Sequence, residues 1–307
     1  MQEANYHSIA GNGLMSPDDL SHGLASLSRG AYFGEASLDM MLSILAESAA
    51  TICGVERASI WALTAGQREL RCLELFERTA GLRGGGNSID AIGHPVFFQA
   101  LREGRCLAVD DAYAHPMLAE FVSYYLPRHR ITALLATPVF IRGDWQGLLL
   151  LEQVGTRQAW AGAHQIFAQA VANLVALALV EYEAGEARSE AQRAKEQVRA
   201  VIDASPDAIL LADGRSGQII DANRQAESLT GRTRADLLGR HHGSLYPVEQ
   251  QGAMASALHR LGEERREAKL AAEVERTDGI KVLVEIRATL ADLSDGSRLA
   301  LKILRAA

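Results

Sequence analysis

Two antiparallel sheets, each flanked by helices and joined by one long helix, are what this sequence predicts: an α+β chain of two domains. Three observations carry that reading. Strand-period alternation comes in hairpin pairs, at 58–77 and 132–154 and again at 206–221 and 268–289. Helical-period runs stand before, between and after the first two hairpins, which gathers helices on one side of a sheet and loops on the other. Between the two sets, residues 159–202 hold no proline and only Gly162 and Gly185 as glycines.

The totals bound the function. A chain of 307 residues suffices for two domains with their own cores, and 48% hydrophobic with 22% charged residues is a globular composition. Net charge of −7 argues against a sequence-independent grip on nucleic acid. Only Lys195, Lys269, Lys281 and Lys302 are lysines among 31 cations, a bias that by itself indicates no function. Cys53, Cys72 and Cys106 stand far apart without a CxxC, which points to buried thiols in a reducing cytoplasm. The most apolar stretch, 161–180, is interrupted by His164, Gln165, Gln169 and Asn173, so no membrane span is expected.

The elements follow in order. Residues 1–16 read as a loose end, and Ser16 with Pro17 opens a short helix to Arg29. Ser37 caps a second, whose Leu38, Met41, Leu42, Leu45, Ala49 and Ile52 share one face before Gly54 ends it. Hairpin strands at 58–63 and 69–77 turn at Ala65-Gly66, and a loop rich in glycine (Gly81, Gly84, Gly85, Gly86) follows. Helices are expected at about 94–103 and 117–126, with a short strand at 106–109 between them. Apolar runs at 132–141 and 146–154 turn at Arg142-Gly143-Asp144-Trp145, and a long helix begins near Ala159. The second half holds strands at 206–212 and 218–221, a helix at 248–261, and strands at 268–275, 281–289 and 298–304.

The residues Leu107-Ala108-Val109-Asp110-Asp111-Ala112, His115-Pro116, Tyr124-Tyr125-Leu126, Leu135-Ala136-Thr137-Pro138-Val139, Gly147-Leu148-Leu149-Leu150 and Trp160 resemble a GAF domain over about 35–180. It is similar to those at the front of bacterial cyclic-di-GMP enzymes and histidine kinases. Asp221-Ala222-Asn223, Leu229-Thr230-Gly231, Leu238-Gly239, Asp278-Gly279 and Val284-Glu285-Ile286 resemble a PAS domain over about 197–305. The division is a tail and short helix at 1–34, a GAF-like domain at 35–180, a helical linker at 181–202 and a PAS-like domain at 203–307. The resemblance implies the sensory region of a bacterial signalling protein, relaying a bound small molecule or partner to a C-terminal output domain. Cyclic-di-GMP turnover is the output expected, with a histidine kinase input region as the alternative. The chain stops at Leu304-Arg305-Ala306-Ala307, about where such proteins continue into the output domain, so either a sensory region without its output or a stand-alone sensor is expected.

The joining helix has a second pattern. Ala170, Asn173, Leu177, Val180, Ala184, Ala187, Ala191, Ala194, Val198 and Val201 alternate spacings of 3 and 4 without a slip. That is a heptad seam, and it predicts a parallel homodimer held by a weak, alanine-rich coiled coil. Phe167, Val171, Leu174 and Ala178 form another stripe, expected to pack on the first sheet.

Candidate chemistry is confined to a pocket. In the loops of the GAF-like half, Asp110, Asp111, His115, Tyr124, Tyr125, Arg128, His129 and Arg130 are the polar groups able to converge on an anionic or nucleotide-like ligand. The simpler reading, solvated loop polars with tyrosines filling gaps, competes with it. No cofactor or metal is predicted. Oxygen-sensing PAS kinases carry a haem histidine seven residues after a proline; here Pro247 leads to Met254, while His259 lies on the same helix and His241-His242 read as solvated loop residues. Haem through another histidine, or flavin held noncovalently, stays open. Neither Gly-x-Ser-x-Gly, HExxH nor a P-loop occurs, and no kinase, cyclase or phosphodiesterase signature is found. A chain without catalytic activity of its own is the expectation.

Overall fold

The computed structural model describes residues 15–29, 36–64, 66–155, 159–254, 256 and 268–306. Most of the expected tail at 1–16, and the helix beyond Ser256 with His259, lie outside the described residues. The chain divides into two compact units at Arg188 and Ser189.

The first unit holds α1 (Pro17–Arg29), α2 (Leu38–Cys53), β1 (Arg57–Leu63), β2 (Glu69–Glu77), β3 (Leu82–Gly84), β4 (Ser88–Asp90), α3 (Pro95–Arg102), β5 (Leu107–Val109), α4 (Tyr125–His129), β6 (Ile131–Ile141) and β7 (Asp144–Val154). Its strands run in the order β3-β2-β1-β7-β6-β5, with β4 also paired to β2. Each of these pairings is antiparallel. Ser37 accepts the Met40 N–H and Gly54 takes a left-handed backbone, which fixes both ends of α2. The expected glycine loop is partly strand, since β3 and β4 both extend the edge of the sheet. Gly147 is obligatory where β7 crosses β1, because a Cβ there would lie 2.3 Å from the Trp61 carbonyl oxygen.

Each face of this sheet has its own core. On one face Ala58, Ile60, Leu149 and Leu151 meet Met41, Leu42 and Leu45 of α2 and the start of a long helix, α5 (Gly162–Ala204). On the other, Trp61, Leu134, Leu148 and Leu150 meet Phe97, Phe98, Phe121 and Leu126. The helices expected at about 94–103 and 117–126 are present, but they cover this second face, which was expected to carry loops, rather than joining the others on the first. The first is α3, and the second is split into a 3₁₀ turn at Pro116–Phe121 and α4.

Helix α5 begins at Gly162, three residues later than its pattern suggests, because side chains claim the preceding turn. Asp110 accepts the Trp160 N–H at 2.8 Å, and His164 accepts the Ala161 N–H at 2.9 Å. Phe167, Val171 and Ala178 are buried in the first core, with Leu174 packed against it. By length and composition α5 qualifies as a membrane span, yet its apolar first half is the part that fills this core.

The second unit contains the end of α5, β8 (Ala208–Asp213), β9 (Ile219–Ala222), α6 (Arg224–Thr230), α7 (Arg234–Leu237), β10 (Ala268–Glu275), β11 (Lys281–Asp292) and β12 (Arg298–Ala306). The sheet order is β10-β11-β12-β8-β9. Asn223 is its organising residue. Fully buried, it accepts the N–H groups of Ala226 and Ile209 and donates to the carbonyls of Ile202 and Asp207. One amide thereby caps α6 and ties α5 to β8. Gly231 closes α6 at φ 70°, where a Cβ would stand 2.6 Å from the Thr277 hydroxyl.

Candidate functional site

A charged cluster interrupts the apolar face of the first sheet. Arg57 lies between Glu77 of β2 and Glu152 of β7 in the strand register. Its Nε is 3.2 Å from Glu152 Oε2 and its Nη1 3.5 Å from Glu77 Oε1. Arg57 is 5% exposed and Glu152 fully buried. The close Arg57–Glu152 approach is an ion pair without hydrogen-bond alignment, so neither Nε nor Oε2 has a hydrogen-bond partner. The other carboxylate oxygen accepts the Tyr125 hydroxyl at 2.9 Å. Burial pushes the Glu152 carboxyl up, while Arg57 and Tyr125 pull it back. Burial and then the Glu152 charge raise Tyr125. The His129 ring lies tilted 5.0 Å from that of Tyr125, and burial followed by the charges of Arg57 and Arg128 lowers it.

The sequence-predicted residues divide around this cluster. Tyr125 and His129 join it. Arg128 and Arg130 are exposed, and Arg130 ends α4 in the left-handed region at φ 56°. Asp110 is occupied with the Trp160 N–H, Asp111 with the Tyr113 N–H, and His115 with the Met117 N–H. Tyr124 meets a different partner, His94 Nε2 at 2.6 Å, and His94 stacks 4.4 Å from Phe121. Arg57, Glu77, Glu152 and His94 were missed. The Glu152 signal was present as one carboxylate inside the apolar run 146–154.

Burial raises the thiols Cys53 and Cys72 to about 12. Cys106 is half-buried rather than fully so, and burial raises it too.

The second unit has its own polar interior. His242, expected to be solvated, is 2% exposed, because the 3₁₀ turn His242–Leu245 tucks it under the sheet; His241 stays exposed. Lys302 on the central strand is also 2% exposed, and its Nζ sits 2.7 Å from His242 Nδ1 and 5.8 Å from the Tyr246 ring centre. The Tyr246 hydroxyl is buried without a hydrogen-bond partner. Burial lowers Lys302 to about 7, and burial with the Lys302 charge lowers His242 to about 3. Met254, at the haem-histidine position, is buried in the same core.

The family profile of the GAF domain matches residues 37–179 and that of the PAS fold residues 196–301. The chain is a GAF domain followed by a PAS domain. A protein of Azorhizobium caulinodans described only as uncharacterised is 27% identical over 123 residues, covering 40% of this chain and 16% of that protein. The GAF domain of a phosphoenolpyruvate-protein phosphotransferase from Coxiella burnetii is similar at 14% identity, with TM-score 0.46, over 56% of this chain and 99% of that one. A domain of a sensory box sensor histidine kinase/response regulator from Geobacter sulfurreducens shares 28% identity, with TM-score 0.32, over 36% of this chain and 92% of that one. GAF and PAS domains make this a sensory, signal-transducing region.

Beside the PAS sheet, the end of α5 borders an open groove of about 530 Å³ lined by Ala194, Lys195, Val198, Ile202 and Leu211. One end is held by ions: Arg199 bonds Asp203 and Asp221, and Arg234 bonds Asp221 again, each at 2.7–2.8 Å. Burial pushes the Asp221 carboxyl upward, but the Arg234 and Ala222 hydrogen bonds and the two guanidinium charges outweigh it and hold it below its usual value.

Proposed function

We propose that this chain is the input region of a bacterial signalling protein, in which a small ligand or partner biases a dimeric helix leading to a C-terminal output. The observation that carries the reading is α5. It is one helix of 43 residues, its first half built into the GAF core and its last turns bonded to PAS residues. Its heptad face is left uncovered: Leu177 is 44% exposed, Val198 60% and Val201 74%, with Ala187, Ala191 and Ala194 also exposed. Val180 and Ala184 are half-buried.

An apolar row in strict heptad phase is matched by a second copy of itself. Alanine at its centre buries little area, so the pairing is weak and its phase can shift at low cost. Gly185, with open space around its Cα, adds to that softness. The output favoured is cyclic-di-GMP turnover, which the GAF motifs at 107–116 and 135–150 support by resemblance.

Cysteine placed along α5 tests the pairing. Ala191→Cys and Val198→Cys are expected to form intermolecular disulfides within minutes of mild oxidation, and Ala200→Cys, on the far side of the helix, is not. Equal cross-linking at all three positions would overturn the reading.

A further inference from the structure

The charges beside the heptad row of α5 carry a pattern of their own. With Leu177, Ala184, Ala191 and Val198 as a positions, the g positions of the middle heptads are Glu183 and Glu190. The e positions in the heptads that follow them are Arg188 and Lys195. Both g residues are acidic and both e residues basic. All four are exposed, and among the described residues none has an ion-pair partner.

Their own helix offers them little. Side chains three and four residues apart are neighbours on a helix surface. At those spacings Arg188 and Lys195 have no carboxylate, and Glu183 has no cation. Glu190 has only Arg193, whose guanidinium donates instead to Ser189 Oγ at 3.1 Å. Elsewhere on α5 charge is taken up within the chain, as where Arg199 pairs with Asp203 and Asp221 at 2.8 Å.

A second copy of the helix supplies the missing partners, and one arrangement supplies all of them. In a parallel coiled coil a g residue lies beside the e residue of the next heptad on the other helix. Glu183 then meets the partner's Arg188, and Glu190 meets the partner's Lys195. Two-fold symmetry repeats both contacts, so every one of these charges is matched. An antiparallel pair sets g against g and e against e, acid facing acid and base facing base. Sliding one helix by a heptad forfeits half of the attractive contacts and brings Glu183 of one copy against the partner's Glu181. The small side chains of the apolar row discriminate poorly among these alternatives, so the choice falls to the charges.

We propose that Glu183, Glu190, Arg188 and Lys195 are the specificity determinants by which α5 selects a second copy of itself, parallel and without offset. This rests on the dimeric reading of α5 and names both the partner and the register. The two chains then leave the pair at the same level, with their C-terminal ends side by side. A heptad helix from another protein with different e and g charges is rejected by repulsion, which a row of alanines alone could not do.

The test uses the whole chain in two charge-reversed forms. Glu183→Lys with Glu190→Lys makes all four positions basic, and Arg188→Glu with Lys195→Glu makes all four acidic. The side chains are exposed, so both forms should fold, with thermal unfolding of each domain as the check. By sedimentation equilibrium in about 50 mM salt, each form alone should dissociate with a constant at least about tenfold above that of the wild type. An equimolar mixture should return to within about threefold of the wild type, because every pair is attractive again in the mixed dimer. Native mass spectrometry of that mixture in about 50 mM ammonium acetate should find mixed dimers far above the roughly one half of random assortment, and about 500 mM should erode the preference by screening. Charge-reversed forms that self-associate like the wild type, or a mixture that assorts at random, would overturn the proposal and leave the apolar seam standing. A monomeric wild type would overturn both.

Discussion

Arg57 and Glu152 face each other across β1 and β7 in the middle of the GAF sheet, 3.2 Å apart and nearly free of solvent. The pair divides one sheet face into an aromatic part around Phe97, Phe98 and Trp145 and a charged part ending in Tyr125 and His129. A buried pair adds little net stability, because desolvation offsets attraction, but each partner is needed once the other is present. Arg57→Met is therefore expected to cost about 3–5 kcal/mol in urea unfolding. The double change Arg57→Met with Glu152→Met should recover most of that. The residual loss reflects the Tyr125 hydroxyl without its acceptor, about 1–3 kcal/mol. A double variant as unstable as the single one would show that the cluster does more than compensate its own charge.

How much of this could be read from the sequence depends on what each residue advertises. The strands and their turns were legible because both hairpins of the GAF sheet run between glycine-containing turns, and Asn223 and Gly231 stand where a helix must be capped. The Arg57–Glu152 pair was not, because its members are 95 residues apart and only the sheet order brings them together. Lys302 was hidden by a misleading alternation. Leu299, Leu301 and Ile303 are the more apolar set on β12, yet they are the half-exposed face, while Ala300, Lys302 and Leu304 point inward. His242 was hidden because burial of a loop histidine depends on a turn that tertiary packing makes. The polar residues at 110–130 were legible as a group but not in their roles, since most of them serve as caps and turn acceptors.

Lys302 should leave a mark on stability against pH in the absence of any ligand. Its folded value near 7 lies below the ordinary lysine range, so between the two the unfolded chain binds the extra proton. Stability should accordingly rise as pH increases from about 7 to about 10. His242, depressed to about 3, works in the same direction between about 3 and 6.5. Denaturant midpoints of wild type and Lys302→Met measured over pH 6–10 check this, with a rising slope in the first and a flatter one in the second. Parallel curves would place the ammonium in a solvated environment.

Arg130 occupies a left-handed backbone position at the end of α4 with its side chain exposed. Replacement by glycine relieves that conformation, and Arg130→Gly should stabilise the chain by about 0.5–1 kcal/mol. Arg128→Ala should change stability by less than about 0.5 kcal/mol. A loss of more than about 1 kcal/mol from Arg130→Gly would mean that its guanidinium makes a contact important to the fold.

Haem is not expected in the PAS interior, where the sulfur-bearing side chain of Met254 is packed among Leu237, Leu245 and Val274. Incubation with haemin followed by gel filtration should leave no stoichiometric Soret band. Such a band, lost again in His259→Ala, would name the ligand and overturn this expectation.

The central claim is that one face of α5 meets its own copy, and sedimentation equilibrium tests it most directly. Ala191→Glu places like charges in the seam, where packing leaves about a methyl's space, and should cost the dimer about 2–4 kcal/mol. Ala200→Glu makes the same chemical change on the opposite side of the helix, where an exposed charge is worth about 0–1 kcal/mol. Measured over a range of protein concentrations, the wild type and Ala200→Glu should share a dissociation constant within about threefold, with that of Ala191→Glu at least tenfold higher. A monomeric wild type, or equal constants for all three proteins, would contradict the account.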